Sequence, residues 1–194
     1  MDKYTFGGMK RIITILLLLS VSFGTVTDID GNVYETVQIG DQLWMAENLK
    51  VTHYNNGDAI AYVTDIDEWE NLISGAYGYY QNDVTYLEIY GNLYNPYAAN
   101  DDRGICPIGW HLPTIDEWYL LREYLGGWDL AGGEMKSTGT IEDGDGLWWS
   151  PNVGATNESG FNAHPGGWRG GGCDTGCAMG STASYHLYSY DDNF

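Results

Sequence analysis

The sequence predicts an α+β fold of short antiparallel strands, one or two helices and long irregular loops. Three observations carry that expectation. Asp-Gly and Gly-Asp turn signals separate short β-branched runs near the start, a helix with a full N-terminal signature sits mid-chain, and glycine crowds the last third. At 194 residues the chain is long enough for one domain of ordinary size.

The elements follow in order. Lys10 and Arg11 precede an apolar run over residues 12–21. Ten such residues are too few to cross a hydrocarbon layer of ~30 Å, so the run reads as a secretory signal and not as a span. It covers residues 1–24, with Met9 as a second candidate start and cleavage between Ser22 and Val26. No Cys lies there for a lipid anchor. The domain then occupies residues 26–194, and the expected location is secreted, extracellular or on a bacterial cell surface, with no span in the mature chain. Strands are expected over 26–29, 33–39 and 42–45, joined at Asp30-Gly31 and Gly40-Asp41. A short helix is expected over 64–73, with acids in its first turn to suit the helix dipole. Short strands follow at 77–80 and 91–95. Thr114-Ile115-Asp116-Glu117 is a capping box, Trp118, Leu121 and Leu125 recur on one face, and Gly126-Gly127 ends a helix over 114–125. Beyond 127 the chain is expected to be mostly loop, closing on an alternating strand at 184–190.

Charge narrows the partners. There are 27 acidic and 8 basic side chains, a formal charge of −19. Removal of residues 1–24 takes the basic count to 5 and the acidic count to 26, so the mature chain stands at −21. Such a surface repels phosphates, which excludes nucleic acid and disfavours anionic membranes. Aromatic residues make up 14% of the chain, more than a disordered acidic tail carries, so the charge decorates a folded globule.

The chemistry is sparse. No Ser elbow, phosphate loop or His–Asp pattern occurs, so no enzyme activity is expected. His111, at the helix entry, reads as a packed or turn residue in preference to a base. Cys173 and Cys177 are placed to close a small local disulfide loop, although so tight a ring is demanding. Cys106 is left over. Zinc would need these three with His164 or His186, but structural zinc sites usually show two close ligand pairs and only one pair is present. Calcium is the one cofactor the pattern admits. Asp28 to Asn32, Asp65 to Glu68 and Asp101-Asp102 read first as solvated turns, which leaves Glu142, Asp143 and Asp145 as the best hard-oxygen set. For stacking on sugar rings the candidates are Trp148, Trp149 and Trp168. Trp148 and Trp149 are adjacent, so an extended chain turns them to opposite sides. Trp44, Trp110 and Trp118 are assigned to the core.

Several blocks resemble one family. They are Asp30-Gly31-Asn32-Val33-Tyr34, Thr36-Val37-Gln38-Ile39-Gly40, Gln42-Leu43-Trp44-Met45-Ala46-Glu47-Asn48-Leu49 and Gly91-Asn92-Leu93-Tyr94-Asn95. They continue with Cys106-Pro107-Ile108-Gly109-Trp110-His111-Leu112-Pro113-Thr114, Glu117-Trp118, Asn157-Glu158-Ser159-Gly160-Phe161-Asn162-Ala163 and Pro165-Gly166-Gly167. In this order, over about residues 28–169, they resemble the Fibrobacter succinogenes major paralogous domain of secreted bacterial proteins. The resemblance implies a C-type-lectin-like fold. The Gly109-to-Thr114 block with Glu117-Trp118 is also similar to one in formylglycine-generating enzymes, which share that scaffold. One departure stands out. The family's Pro-Gly-Gly block is followed by Trp-Ser-Ser and by closing strands ending near a Cys, whereas here Ser181-Thr182 follows Gly180 and the chain stops at Phe194. The resemblance therefore implies a truncated C-terminus, with the missing Cys as partner of Cys106. The function expected is non-catalytic binding of a glycan or a surface protein through residues 130–180. The alternatives are a structural or adhesin domain without a small ligand, and a relative of the formylglycine-generating enzymes.

Overall fold

The computed structural model describes residues 23–171 and 173–185. Its first layer is an antiparallel sheet, β1 (Phe23–Thr27), β2 (Val33–Ile39) and β3 (Gln42–Met45), paired in that order. Along β2 the buried side chains are Tyr34, Thr36, Val37 and Ile39, while Val33, Glu35 and Gln38 face water. The Asp-Gly turn before β2 is held by a carboxylate. Asp28 accepts from the Asp30 and Asn32 amides at 3.0 and 2.9 Å and from the Tyr34 hydroxyl at 2.6 Å. The Tyr34 oxygen in turn accepts from the Lys50 amide at 2.9 Å, which ties the hairpin to the next segment.

A second small sheet joins β4 (Ala61–Tyr62), β5 (Ala76–Gly78) and β6 (Leu93–Tyr94), parallel in its first pairing and antiparallel in its second. Between β4 and β5 lies α1 (Ile66–Asn71), whose first turn Asp65 caps by accepting from the Glu68 amide at 2.8 Å. Two one-turn helices, α2 (Leu87–Tyr90) and α3 (Pro96–Ala99), flank β6. Helix α4 (Ile115–Tyr124) has the complete capping box read from the sequence and ends at Gly126-Gly127, both in the left-handed region.

Residues 130–180 depart from the loop expected there. They contain α5 (Ala131–Met135) and a hairpin of β7 (Trp168–Gly170) with β8 (Cys173–Cys177). Neither advertises itself locally, since α5 has two glycines in five residues, a poor intrinsic helix. Packing supplies what propensity does not, because Ala131 is buried in the core and Lys136 bridges Ala163. The Cys173–Cys177 disulfide is present within β8. Residues 1–22 of the expected signal segment and most of the closing strand expected at 184–190 lie outside the described residues; Phe23 and Gly24, the last two residues of that segment, instead begin β1, and Ser184 and Tyr185 are not in a strand. No helix among the described residues is long and apolar enough to cross a membrane.

Two cores organise the interior. The first joins Val37, Ile39, Trp44, Leu121, Leu125 and Phe161, from the first sheet, α4 and the late loops. The second joins Val51, Tyr54, Ile60, Tyr77, Ala98 and Ile105. A smaller third gathers Val63, Trp69 and Ala76, with the Arg169 guanidinium 4.5 Å from the Trp69 ring centre. The late loops come closer to their neighbours than side chains allow. A Cβ on Gly146 would run into the backbone of Gly139, and one on Gly167 into the Cys177 carbonyl.

Candidate functional site

Where the first two cores meet, the surface opens into a groove of about 560 Å³. The first core contributes Trp44, Phe161 and the flanking Trp118; the second contributes Ile105 with the flanking Leu49, Tyr94 and Cys106. The floor is aromatic. Trp118 sits 5.0 Å from Trp44, 6.0 Å from Phe161 and 5.5 Å from Tyr185, ring centre to ring centre. Trp110, half-buried, lines the groove from the loop between Cys106 and α4, where its amide closes a turn on the Pro107 carbonyl at 2.9 Å.

The polar lining has a definite sign. Asp41, Glu47 and Glu117 line the groove, and no Lys or Arg does so among the described residues. Glu117 is the third residue of α4. Burial pushes its carboxyl up, but hydrogen bonds from Thr114 and His111 outweigh that and hold it below the usual carboxylate range. His111 Nε2 lies 2.9 Å from Glu117 Oε1, and His164 Nδ1 lies 2.9 Å from the Ile89 carbonyl. Burial pushes the Cys106 thiol up to about 11, so it is protonated at neutral pH and a poor nucleophile. Among the described residues, the buried indole N–H groups of Trp44 and Trp118 and the Asn92 side-chain oxygen have no hydrogen-bond partner. All three residues line the groove.

The residues singled out in the sequence lie elsewhere. Trp148 is buried, donates to the Ser137 hydroxyl at 3.1 Å and has the Lys136 ammonium 5.2 Å from its ring centre, so it is part of the interior. Trp149, its neighbour, is exposed as the alternation requires, with Nε1 donating to the Met179 carbonyl at 3.0 Å. Trp168 is exposed on β7. None of the three lines the groove. The carboxylates of 142–145 serve their own loop. Glu142 accepts from the Ser150 amide, Asp143 from the Thr140 hydroxyl and Asp145 from the Thr140 amide, at 2.9, 2.7 and 2.8 Å. Among the described residues no three His, Cys, Asp or Glu side chains gather as a metal site.

Trp44 and Trp118 thus hold or flank the core positions assigned to them and also line the groove, whereas Trp110, assigned to the core as well, belongs to none of the core clusters and lies half-buried on the groove wall. The groove draws on segments far apart in sequence, from Asp41 to Tyr185. The family model of the Fibrobacter succinogenes major domain matches residues 37–191 and so includes every one of them. The chain belongs to that family. No curated protein and no solved structure matches it. The blocks by which the sequence resembles the Fibrobacter succinogenes major domain converge on the groove: residues 42–49, 92–94, 106 and 109–113, 117–118, 161–162 and 166–167 all line it. The signal that could have found it was the recurrence of Trp, His and Glu within those blocks. Without the fold, each looks like a core or turn residue on its own.

Proposed function

We propose that this Fibrobacter succinogenes major domain is an exported, non-catalytic binding module on a C-type-lectin-like scaffold, and that the groove takes a neutral carbohydrate. The observation that carries the reading is the lining: aromatic rings beside carboxylates, amides and imidazoles, with no cation among the described residues. Sugar rings present apolar C–H faces that stack on indoles, and hydroxyls that both donate and accept. Anionic ligands would meet three carboxylates, of which Glu47 alone has a lysine beside it, Lys50 at 3.6 Å. Export to the cell surface or beyond is supported by the basic-apolar start of the sequence. A non-catalytic role is supported by the sequence, which carries no Ser elbow, phosphate loop or His–Asp pattern.

The test is a titration of the mature chain with cellohexaose, xylohexaose and mannohexaose. At least one should bind, and Trp110→Ala should weaken it tenfold or more, the loss expected for a stacked aromatic anchor worth ~1.4 kcal/mol. Absence of binding by all three would sink the reading. A second reading, an adhesin domain that contacts a protein, draws on Trp128. That ring is 81% exposed, with the Arg122 guanidinium 4.2 Å from its centre. Trp128→Ala should leave oligosaccharide binding unchanged.

A further inference from the structure

One polar group of the groove is fixed in both position and proton state. The Glu117 carboxylate divides its two oxygens between two tasks. Oε2 accepts from the Thr114 amide at 2.7 Å and from the Thr114 hydroxyl at 2.9 Å, which anchors it to the start of α4. Oε1 faces His111 Nε2 at 2.9 Å. An ionised carboxylate only accepts, so Nε2 must carry the proton that bridges them. A neutral imidazole has one N–H, and Nδ1 is therefore left as an acceptor. Among the described residues Nδ1 has no partner, and the side chain is 67% exposed on the groove wall.

We propose that His111 Nδ1 is the groove's recognition acceptor, taking a hydrogen bond from a ligand O–H, and that Glu117 is the positioning residue that fixes its tautomer. The inference rests on the carbohydrate reading of the groove and sharpens it to a ligand that stacks on Trp110 while offering a hydroxyl proton to its neighbour. Glu117→Gln isolates the claim. Glutamine still serves at the third position of a capping box, so α4 keeps its start. Its side-chain amide can donate to Nε2, however, which drives the imidazole to the Nδ1–H form and turns the exposed nitrogen from acceptor to donor.

The experiment is ¹⁵N spectroscopy of the histidine ring nitrogens at pH 8, on wild type and Glu117→Gln, with and without the same three hexasaccharides. The wild type should show the Nε2–H form of His111. Saturation with a binding hexasaccharide should move the Nδ1 resonance. Glu117→Gln should swap the tautomer with its melting temperature retained, and it and His111→Phe should each weaken binding about fivefold, the scale of one hydrogen bond. An Nδ1–H form in the free wild type overturns the inference. So does an Nδ1 resonance that stays still while a hexasaccharide saturates the protein, and in that case the carbohydrate reading survives. If none of the three hexasaccharides binds, both fall together.

Discussion

The two cores that flank the groove are built differently. The first is a conventional packing of a sheet against a helix: Val37 and Ile39 of β2, Leu121 of α4 and its C-cap Leu125 close around Trp44 and Phe161. The second has little regular structure and leans on polar side chains that stand in for backbone pairing. Asn95, almost fully buried, accepts from the Ala76 and Ala98 amides at 3.0 and 2.9 Å and donates to the Ser74 carbonyl at 2.9 Å. Tyr94 donates to the Val51 carbonyl at 2.6 Å, and the Arg103 guanidinium lies 3.9 Å from the Tyr54 ring centre. A region short of ladders can be ordered if its orphan amides and carbonyls find side-chain partners, and Asn and Tyr supply them. The groove lies where these two modes of construction meet, so its walls respond to different perturbations.

The sharpest way to break the comparison is to damage each core in its own currency. Leu121→Ala should cost about 2–5 kcal/mol through lost burial and a cavity. Asn95→Ala should cost about 2–3 kcal/mol for a different reason, because it strands buried backbone groups. Denaturant unfolding followed by Trp fluorescence and by Tyr near-ultraviolet dichroism reads the two sides. Asn95→Ala should pull the Tyr transition ahead of the Trp transition, and coincident transitions would show that the cores unfold as one unit. Reduction of the Cys173–Cys177 disulfide comes next. It closes a ring of only five residues, so chain entropy assigns it about 2 kcal/mol, read as a fall in the denaturation midpoint with reductant. Thr114→Ala should cost about 1 kcal/mol, confined to the first core and the groove rim. Acid has the smallest effect. Glu117 and Asp101 are both held below the usual carboxylate range, Asp101 first by its hydrogen bond from Arg103. A depressed value means stability that is present above the ordinary carboxylate range and lost as pH falls through the lower folded value. A melting-temperature profile should therefore fall off below about pH 4, and less steeply in Glu117→Gln, which has no carboxyl at that position to protonate.

The first core was more legible in the sequence than the second. The alternation of β2, the Asp-Gly turn and the Thr114–Glu117 box are local signals, and each element formed close to where those signals placed it. The second core speaks through long-range pairings. Asn95 to Ala76 spans 19 positions and Tyr94 to Val51 spans 43, so nothing in either neighbourhood announces them. The groove was illegible for a related reason. Trp44, Trp110 and Trp118 fit an apolar interior as well as a binding floor, and only the arrival of the loop carrying Phe161 and Asn162 decides that they also line a groove. By residue type alone, Trp148 and the acids of 142–145 suit a ligand better. In the fold Trp148 is turned inward, and the acids hold their own loop.

The glycines of the late loops have a consequence for how the domain tolerates change. Surface loops usually accept substitution more readily than helices do. Here backbone lies directly on backbone at Gly139 with Gly146 and at Gly167 with Cys177, so even a methyl group at Gly146 or Gly167 displaces main chain. Ile115 and Leu120 on α4 face solvent and have room to vary. A saturation scan should thus read in reverse of custom, with the irregular segment intolerant and the outer face of the helix permissive. The variable surface of the domain would then lie on its most regular element.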